Sequence, residues 1–343
     1  MPSVLVIEID GSEGEGGGQI IRTAVALSAV TGKPFKVVKI RSNRPRPGLM
    51  AQHLASIQAV ARLCQAKVEG GIIGSTEVVF TPKGLVAGHL DIDVGTAGAV
   101  TLVLQSLMVP AVHAGKSLEF RVLGGTHVKF APTMEYFTNV FSFFMAKMGV
   151  KVGCEIVRHG FYPKGGGEVK VVVSPGKLKP LTVLERGKPL GNTAFSIATA
   201  DLEKAKVAER QLEGACRVMG FQAKDAAYAN ALSTGSSVFC GSAFANTILG
   251  NDSLGERGMK AEDVGKDAAL GLEKQLETGA CLDRHMADQI LPYMALASGL
   301  SSVSVAEVSG HCRTNMGMIE KFLPVKFKVS GNVISVEGSG LLS

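Results

Sequence analysis

The chain has 343 residues, of which 46% are hydrophobic and 19% charged; this excludes a disordered polymer and supplies enough apolar surface for a core without covalent staples. With 36 Lys+Arg against 30 Asp+Glu the net charge is +6, which favours an anionic partner such as a nucleotide or nucleic acid. The six cysteines form no CxxC pair, the N-terminus MPSVLVIEIDG lacks a basic leader, and apolar runs such as Thr101–Val112 are too short to cross a bilayer. A reduced, cytoplasmic protein with no membrane span is therefore expected.

In chain order, one pattern recurs. A strand-like run ends in a Gly-rich turn and opens a helix: VLVIEIDGSEGEGGGQIIRTAVALSAVTG, then LDIDVGTAGAVTLVLQSLMVPAVHAG, then ETGACLDRHMADQILPYMALASG. A strand, a polar loop and a second helix follow each time, and two strands close each unit. The first two units are offset by about 80 residues, matching Thr23 to Thr101. The third comes about 100 residues late, which implies an insertion. That insertion carries its own strands (AFSIATA, VFCGSAFANTIL) and helices (LEKAKVAERQLEGACRVMG, AEDVGKDAALGLEKQLE). The expected fold class is α/β (α+β): three βαβαββ units in a large domain, residues 1–183 and 280–343, with a smaller α/β domain inserted at 184–279.

Three stretches could carry chemistry. GSEGEGGGQIIRT joins a tight glycine turn to a helix start, where unpaired N–H groups attract phosphate. Arg22 lies one turn in, and Glu15 could hold a divalent ion; a plain turn with a surface glutamate fits the stretch equally well. RSNRPRPGLMAQH sets Arg41, Arg44 and Arg46 in a Pro-restricted loop, where guanidinium forks suit phosphate oxygens and a solvated basic loop is the plain alternative. It occupies the place in the first unit that GGTHVKFAP occupies in the second and SGHCRTN in the third. In a pseudo-symmetric repeat such equivalent loops tend to gather at corresponding ends of their sheets. SGHCRTN is expected to be a loop. The seven histidines show no HExxH spacing, which argues against a histidine-built metal site. The Walker A tail Gly115-Lys116-Ser117 has Pro110 in place of its leading glycine, and no GxSxG elbow is present.

Together, GSEGEGGGQIIRTAVALSAVTGKPF, IRSNRPRPGLMAQH, GTAGAVTLVLQ, RHGFYPKGGGEV, ADQILPYMALA and HCRTNMGMIEKFLPVKF resemble the RNA 3'-terminal phosphate cyclases, in order and over essentially the whole chain. That resemblance implies the same three-unit fold and a three-step reaction. A histidine takes AMP from ATP, AMP passes to an RNA 3'-phosphate, and the vicinal 2'-OH closes a 2',3'-cyclic phosphate. It implies His311 as the nucleophile and Glu15 as ligand to a divalent metal, Mg or Mn. Arg22, Arg41, Arg44 and Gln52 would lie around the triphosphate and the RNA phosphate. Gln105, Pro132, His285, Met286, Ala287, Asp288 and Gln289 would form the nucleotide pocket, with adenine between Pro132 and His285. The implied partners are ATP, as substrate, and RNA with a 3'-phosphate end.

Three other readings compete. A non-catalytic cyclase-like protein of ribosomal RNA processing would lack the nucleophilic histidine. An enolpyruvyl transferase would share the repeats but not need HCRTN. A plain RNA-binding module would use the basic loop alone, and the 6% aromatic content without Trp disfavours a base-stacking platform.

Overall fold

The computed structural model describes residues 5–14, 17–86, 88–174 and 176–341. The first unit runs β1 (Ile7–Asp10), α1 (Gly18–Thr31), β2 (Phe35–Val38), α2 (Ala51–Cys64), β3 (Lys67–Glu69) and β4 (Val78–Thr81). Its sheet has the order β1-β2-β4-β3, with β1 and β2 parallel (Ile7 opposite Phe35) and the other pairs antiparallel. Alternation of buried and half-exposed side chains along Phe35–Val38 follows from the two-residue period of a one-faced strand.

The second unit repeats this plan with β5 (Gly88–Asp93), α3 (Val100–His113), β6 (Leu118–Gly124), a helical stretch, β7 (Lys151–Arg158) and β8 (Gly167–Ser174), in the order β5-β6-β8-β7. The helical stretch is α4 (Met134–Tyr136), a π turn over Phe137–Phe141 and α5 (Ser142–Lys147). The third unit begins with β9 (Thr182–Val183), which pairs parallel with a strand more than a hundred residues later.

Between β9 and that partner lie β10 (Pro189–Thr199), a 3₁₀ turn at Ala200–Ala205, α6 (Val207–Cys216), β11 (Ala223–Ala229), β12 (Ser236–Phe244), β13 (Ile248–Leu254) and α7 (Ala261–Glu277). They form a fourth sheet, β11-β10-β12-β13, with α6 and α7 against it. The unit then resumes with α8 (Arg284–Gln289), α9 (Leu291–Leu296), β14 (Ser298–Ser304), α10 (Gly310–Phe322), β15 (Phe327–Ser330) and β16 (Val333–Ser339). Its sheet order, β9-β14-β16-β15, matches the other two.

Two local expectations change. ETGACL does not form the first strand of the third unit. Gly279 turns at φ 72° just after α7 and Asp283 already caps α8, so only an isolated bridge, Leu282 to Val305, fits between them. The segment AKDAAYA forms β11, a strand absent from the sequence reading. It lacks apolar alternation because it is an exposed edge that takes its hydrogen bonds from β10.

One hydrophobic cluster joins residues of all three units, among them Ile21, Leu27, Val103, Leu107, Tyr293 and Ile319. The fourth sheet has its own, with Val238, Leu249, Val264 and Leu272. Helix α1 lies centrally, against α2, α3 and α10, so almost every face of it is buried. Arg186 ties the two crossings between the cores: its guanidinium donates to the carbonyls of Ala280 (2.7 Å), Leu276 (2.9 Å) and Gln275 (3.2 Å). Among the described residues no helix is long and apolar enough to cross a membrane.

Candidate active site

His311 lies in the first turn of α10, not in a loop. The Ser309 hydroxyl accepts the Cys312 N–H, and that N-cap starts the helix two residues before the histidine. Helix α1 brings Gln19 to the imidazole, and Gln19 Oε1 sits 2.8 Å from His311 Nδ1. The other end of the same amide, Nε2, donates to Asp288 Oδ2 at 2.7 Å. An ionised carboxylate only accepts, so this contact fixes the amide with its oxygen toward His311. Nδ1 must then carry the proton, and Nε2 carries the lone pair.

A second bond chain sets the spacing of these helices. Thr23 Oγ1 donates to Asn315 Oδ1 (2.8 Å), and Asn315 Nδ2 donates to the Asp288 carbonyl (2.7 Å). Helices α1, α8 and α10 are thereby held together by polar groups under the catalytic candidate.

His311 opens on a cleft of about 500 Å³ lined by Pro132, His285, Asp288, Glu307 and, from β13, Asp252. His285 meets the buried Tyr136 ring edge-on, with centroids 6.1 Å apart. The backbone here is anchored by Asp283, whose carboxylate is fully buried. It accepts from the N–H groups of His285 and Met286 (both 2.9 Å), from the Tyr136 hydroxyl (2.6 Å) and from Gly250 N–H (3.1 Å). Burial, then the Asp283 charge, push the Tyr136 hydroxyl well above its ordinary pKa, so it stays a donor.

Of the other residues expected in the nucleotide pocket, Gln105 and Gln289 line a smaller cavity of about 40 Å³, together with Gln19, Arg22 and Asp288. Met286 and Ala287 are fully buried in the core, and their side chains do not line the cleft. Burial lowers the Arg22 pKa to about 10 against the opposing charge of Asp288, and the group remains a cation near neutral pH.

The basic loop lies beyond α1. Arg41 has a left-handed backbone (φ 53°), and its Nη1 donates to the Arg46 (2.7 Å) and Gly48 (2.9 Å) carbonyls. Arg44 is exposed. Gln52 sits in the first turn of α2, half-buried beside Gly98. Its neighbour His53, unnoticed in the sequence, is buried with Nδ1 accepting the Met50 N–H at 3.1 Å. Desolvation, Arg22 and Arg41 lower its pKa to about 3, so it is neutral and its proton sits on Nε2. That nitrogen presses against the start of α1: a Cβ on Gly18 would lie 2.2 Å from it, which explains the glycine. Among the described residues no side chain caps the N-terminus of α1 at Gly17. Glu15, the expected metal ligand, lies outside the described residues.

His127, in the loop parallel to SGHCRTN, does not join this cleft. It packs against Glu135, His159 and Phe161 in a separate buried cluster, although Pro132, five residues on, does reach the cleft wall.

The family model described as RNA 3'-terminal phosphate cyclase matches residues 13–329. Curated relatives bearing that name include one from Pyrobaculum neutrophilum, 42% identical over 98% of this chain and 99% of its own. Those from Methanopyrus kandleri (43%; 95% and 96%) and Archaeoglobus fulgidus (41%; 97% and 100%) are similar to the same degree. A solved enolpyruvyl transferase, NikO from Streptomyces tendae, overlaps at TM-score 0.44 and 10% identity, covering 99% of this chain and 50% of that chain; a likeness so distant carries no argument.

Proposed function

This chain belongs to the RNA 3'-terminal phosphate cyclase family, and on that premise we propose that it converts RNA 3'-phosphate ends to 2',3'-cyclic phosphates through an AMP carried on His311. The observation that supports this most is the Gln19 amide, which holds His311 with Nδ1 protonated and Nε2 basic at the edge of a nucleotide-sized cleft.

In the first step the Nε2 lone pair attacks the α-phosphorus of ATP. A P–N bond forms, the bond to the β-phosphate oxygen breaks, and pyrophosphate leaves. Gln19 Oε1 accepts a hydrogen bond from the Nδ1–H of the imidazolium that develops and so stabilises the charge. The start of α1, which no described side chain caps, is suited with Arg22 and the Nε2–H of His53 to hold the phosphates. Adenine would lie between Pro132 and His285, with Asp288 toward the ribose. Gln105 and Gln289 would act from the adjoining cavity, and Met286 and Ala287 as backbone supports only.

In the second step an oxygen of the RNA 3'-phosphate attacks the phosphorus of the adduct, and the P–N bond breaks with its electrons returning to the imidazole. This gives an RNA-(3')pp(5')A end, with Arg41, Arg44 and Gln52 on the RNA side. In the third step the 2'-OH attacks the phosphorus of the RNA's own 3'-phosphate, loses its proton, and the bond to the bridging oxygen breaks, expelling AMP. Activation is needed because an unmodified phosphate has no competent leaving group. Closure is intramolecular, so proximity alone supplies several kcal/mol. The chemistry confines the last step to ribose ends. A divalent ion, Mg or Mn at Glu15, belongs to the same reading, and no step is routed through it.

The test is incubation with α-labelled ATP. Acid-labile, base-stable label on the wild-type protein, absent from His311→Ala, is expected, followed by cyclisation of a 3'-phosphorylated RNA. A protein that takes up no label would instead be a non-catalytic relative.

A further inference from the structure

The motif RHGFYPKGGGEV takes no part in the proposed reaction and the loop GGTHVKFAP enters it only through Pro132, yet the fold brings a histidine from each to the same spot. His127 follows β6, Glu135 lies in α4, and His159 follows β7. One ligand-type atom from each lies within 4.8 Å of the others. Glu135 is 7% exposed and His127 2%.

The hydrogen bonds around His127 define what is missing. Thr126 Oγ1 accepts the Gly160 N–H (2.8 Å) and lies within reach of two further groups, the Gly160 carbonyl (3.3 Å) and His127 Nδ1 (2.8 Å). His127 Nε2 lies 2.6 Å from Glu135 Oε2, a contact that either a proton on the imidazole or a metal ion can bridge. A proton satisfies that contact alone. It leaves Glu135 Oε1 and His159 Nδ1, which are buried and without a hydrogen-bond partner among the described residues. A metal ion satisfies all three side chains at once.

We propose that His127, Glu135 and His159 form a binding site for a zinc-type divalent transition ion, separate from the His311 cleft. Two imidazoles and one carboxylate are a borderline-soft donor set that suits zinc and not magnesium. Zinc takes such ligands at about 2.0–2.2 Å, so the donors need to shift by about an ångström or less. Thr126 supplies the outer hydrogen bond that orients a metal-bound imidazole. The fourth position would face a cleft of about 430 Å³, lined by Glu135, His159 and residues of β10 and β11. The ion would clamp the 127–135 loop to the end of β7. That loop presents Pro132 to the nucleotide cleft, so the metal would act on the site as a positioning element and not as a reactant.

The experiment uses the full chain, stripped with a chelator, exchanged into excess Zn(II) and desalted. Elemental analysis should find one retained equivalent in wild type and in Glu15→Ala, and none in His159→Ala or Glu135→Gln. Substitution with Co(II) should give a visible ligand-field band that His159→Ala abolishes while far-ultraviolet circular dichroism is unchanged. No retained zinc in wild type, or equal retention by both ligand variants, would overturn the proposal and leave a buried histidine–carboxylate hydrogen bond.

Discussion

Gln19 Oε1 accepts from His311 Nδ1 at 2.8 Å while Gln19 Nε2 donates to Asp288 Oδ2 at 2.7 Å, joining residues 292 and 269 apart in sequence. The amide cannot rotate without setting its oxygen against a carboxylate, and so it dictates which imidazole nitrogen is basic. Replacing it with alanine removes one hydrogen bond to a developing cation, worth about 1.5–3 kcal/mol. Gln19→Ala should therefore slow single-turnover AMP attachment by roughly 10- to 100-fold. Wild-type rates in that variant would show that the nucleophile needs no orienting partner.

Arg41 and Arg44 lie on the loop beyond α1 and do not line the cleft beside His311. Changing both to alanine should reduce use of 3'-phosphorylated RNA by about tenfold or more and leave self-adenylation within about threefold. Equal losses in both assays would place the two arginines on the triphosphate instead.

Asp283 accepts four hydrogen bonds with no solvent exposure, and two of its donors, Tyr136 and Gly250, come from other elements. Asp283→Ala would uncap α8 and strand the Tyr136 hydroxyl. A loss of roughly 3 kcal/mol or more is expected in urea unfolding. A change below about 1 kcal/mol would mean that water replaces the carboxylate.

His53 is neutral in the folded chain down to about pH 3, because of desolvation and the charges of Arg22 and Arg41, whereas an unfolded histidine titrates near its ordinary value of 6.5. Between these values the unfolded chain binds the extra proton, so stability falls as pH falls. Its contribution is complete well above pH 6.5 and declines toward pH 3, by about 1.6 kcal/mol between pH 6.5 and 5. Urea midpoints should drop less over that range in His53→Asn, whose Oδ1 can still accept the Met50 N–H. Parallel curves for the two proteins would show that His53 contributes nothing to acid sensitivity.

Much of the architecture could be read from the chain because its signals are local. Glycine-rich turns, apolar periodicity and the about-80-residue offset between the first two units reveal the repeats, and their sheets share one strand order. Local signals were also missed. Ser309 is a standard N-cap three residues before the Cys312 N–H it accepts, and that makes HCRTN helical. Gln19 is a polar residue at the head of a largely apolar helix, 7% exposed once folded, and such a residue points to a buried partner.

The amino-acid order by itself determined the repeating units, the basic loop and the presence of a histidine in the HCRTN stretch, because each depends on neighbours within a few turns of chain. Only the tertiary structure decided the tautomer of His311, the neutrality of His53 and the meeting of His127, Glu135 and His159. Protons and lone pairs answer to whichever atoms lie within about 3 Å. Here those atoms come from helices and strands that the chain brings together only on folding.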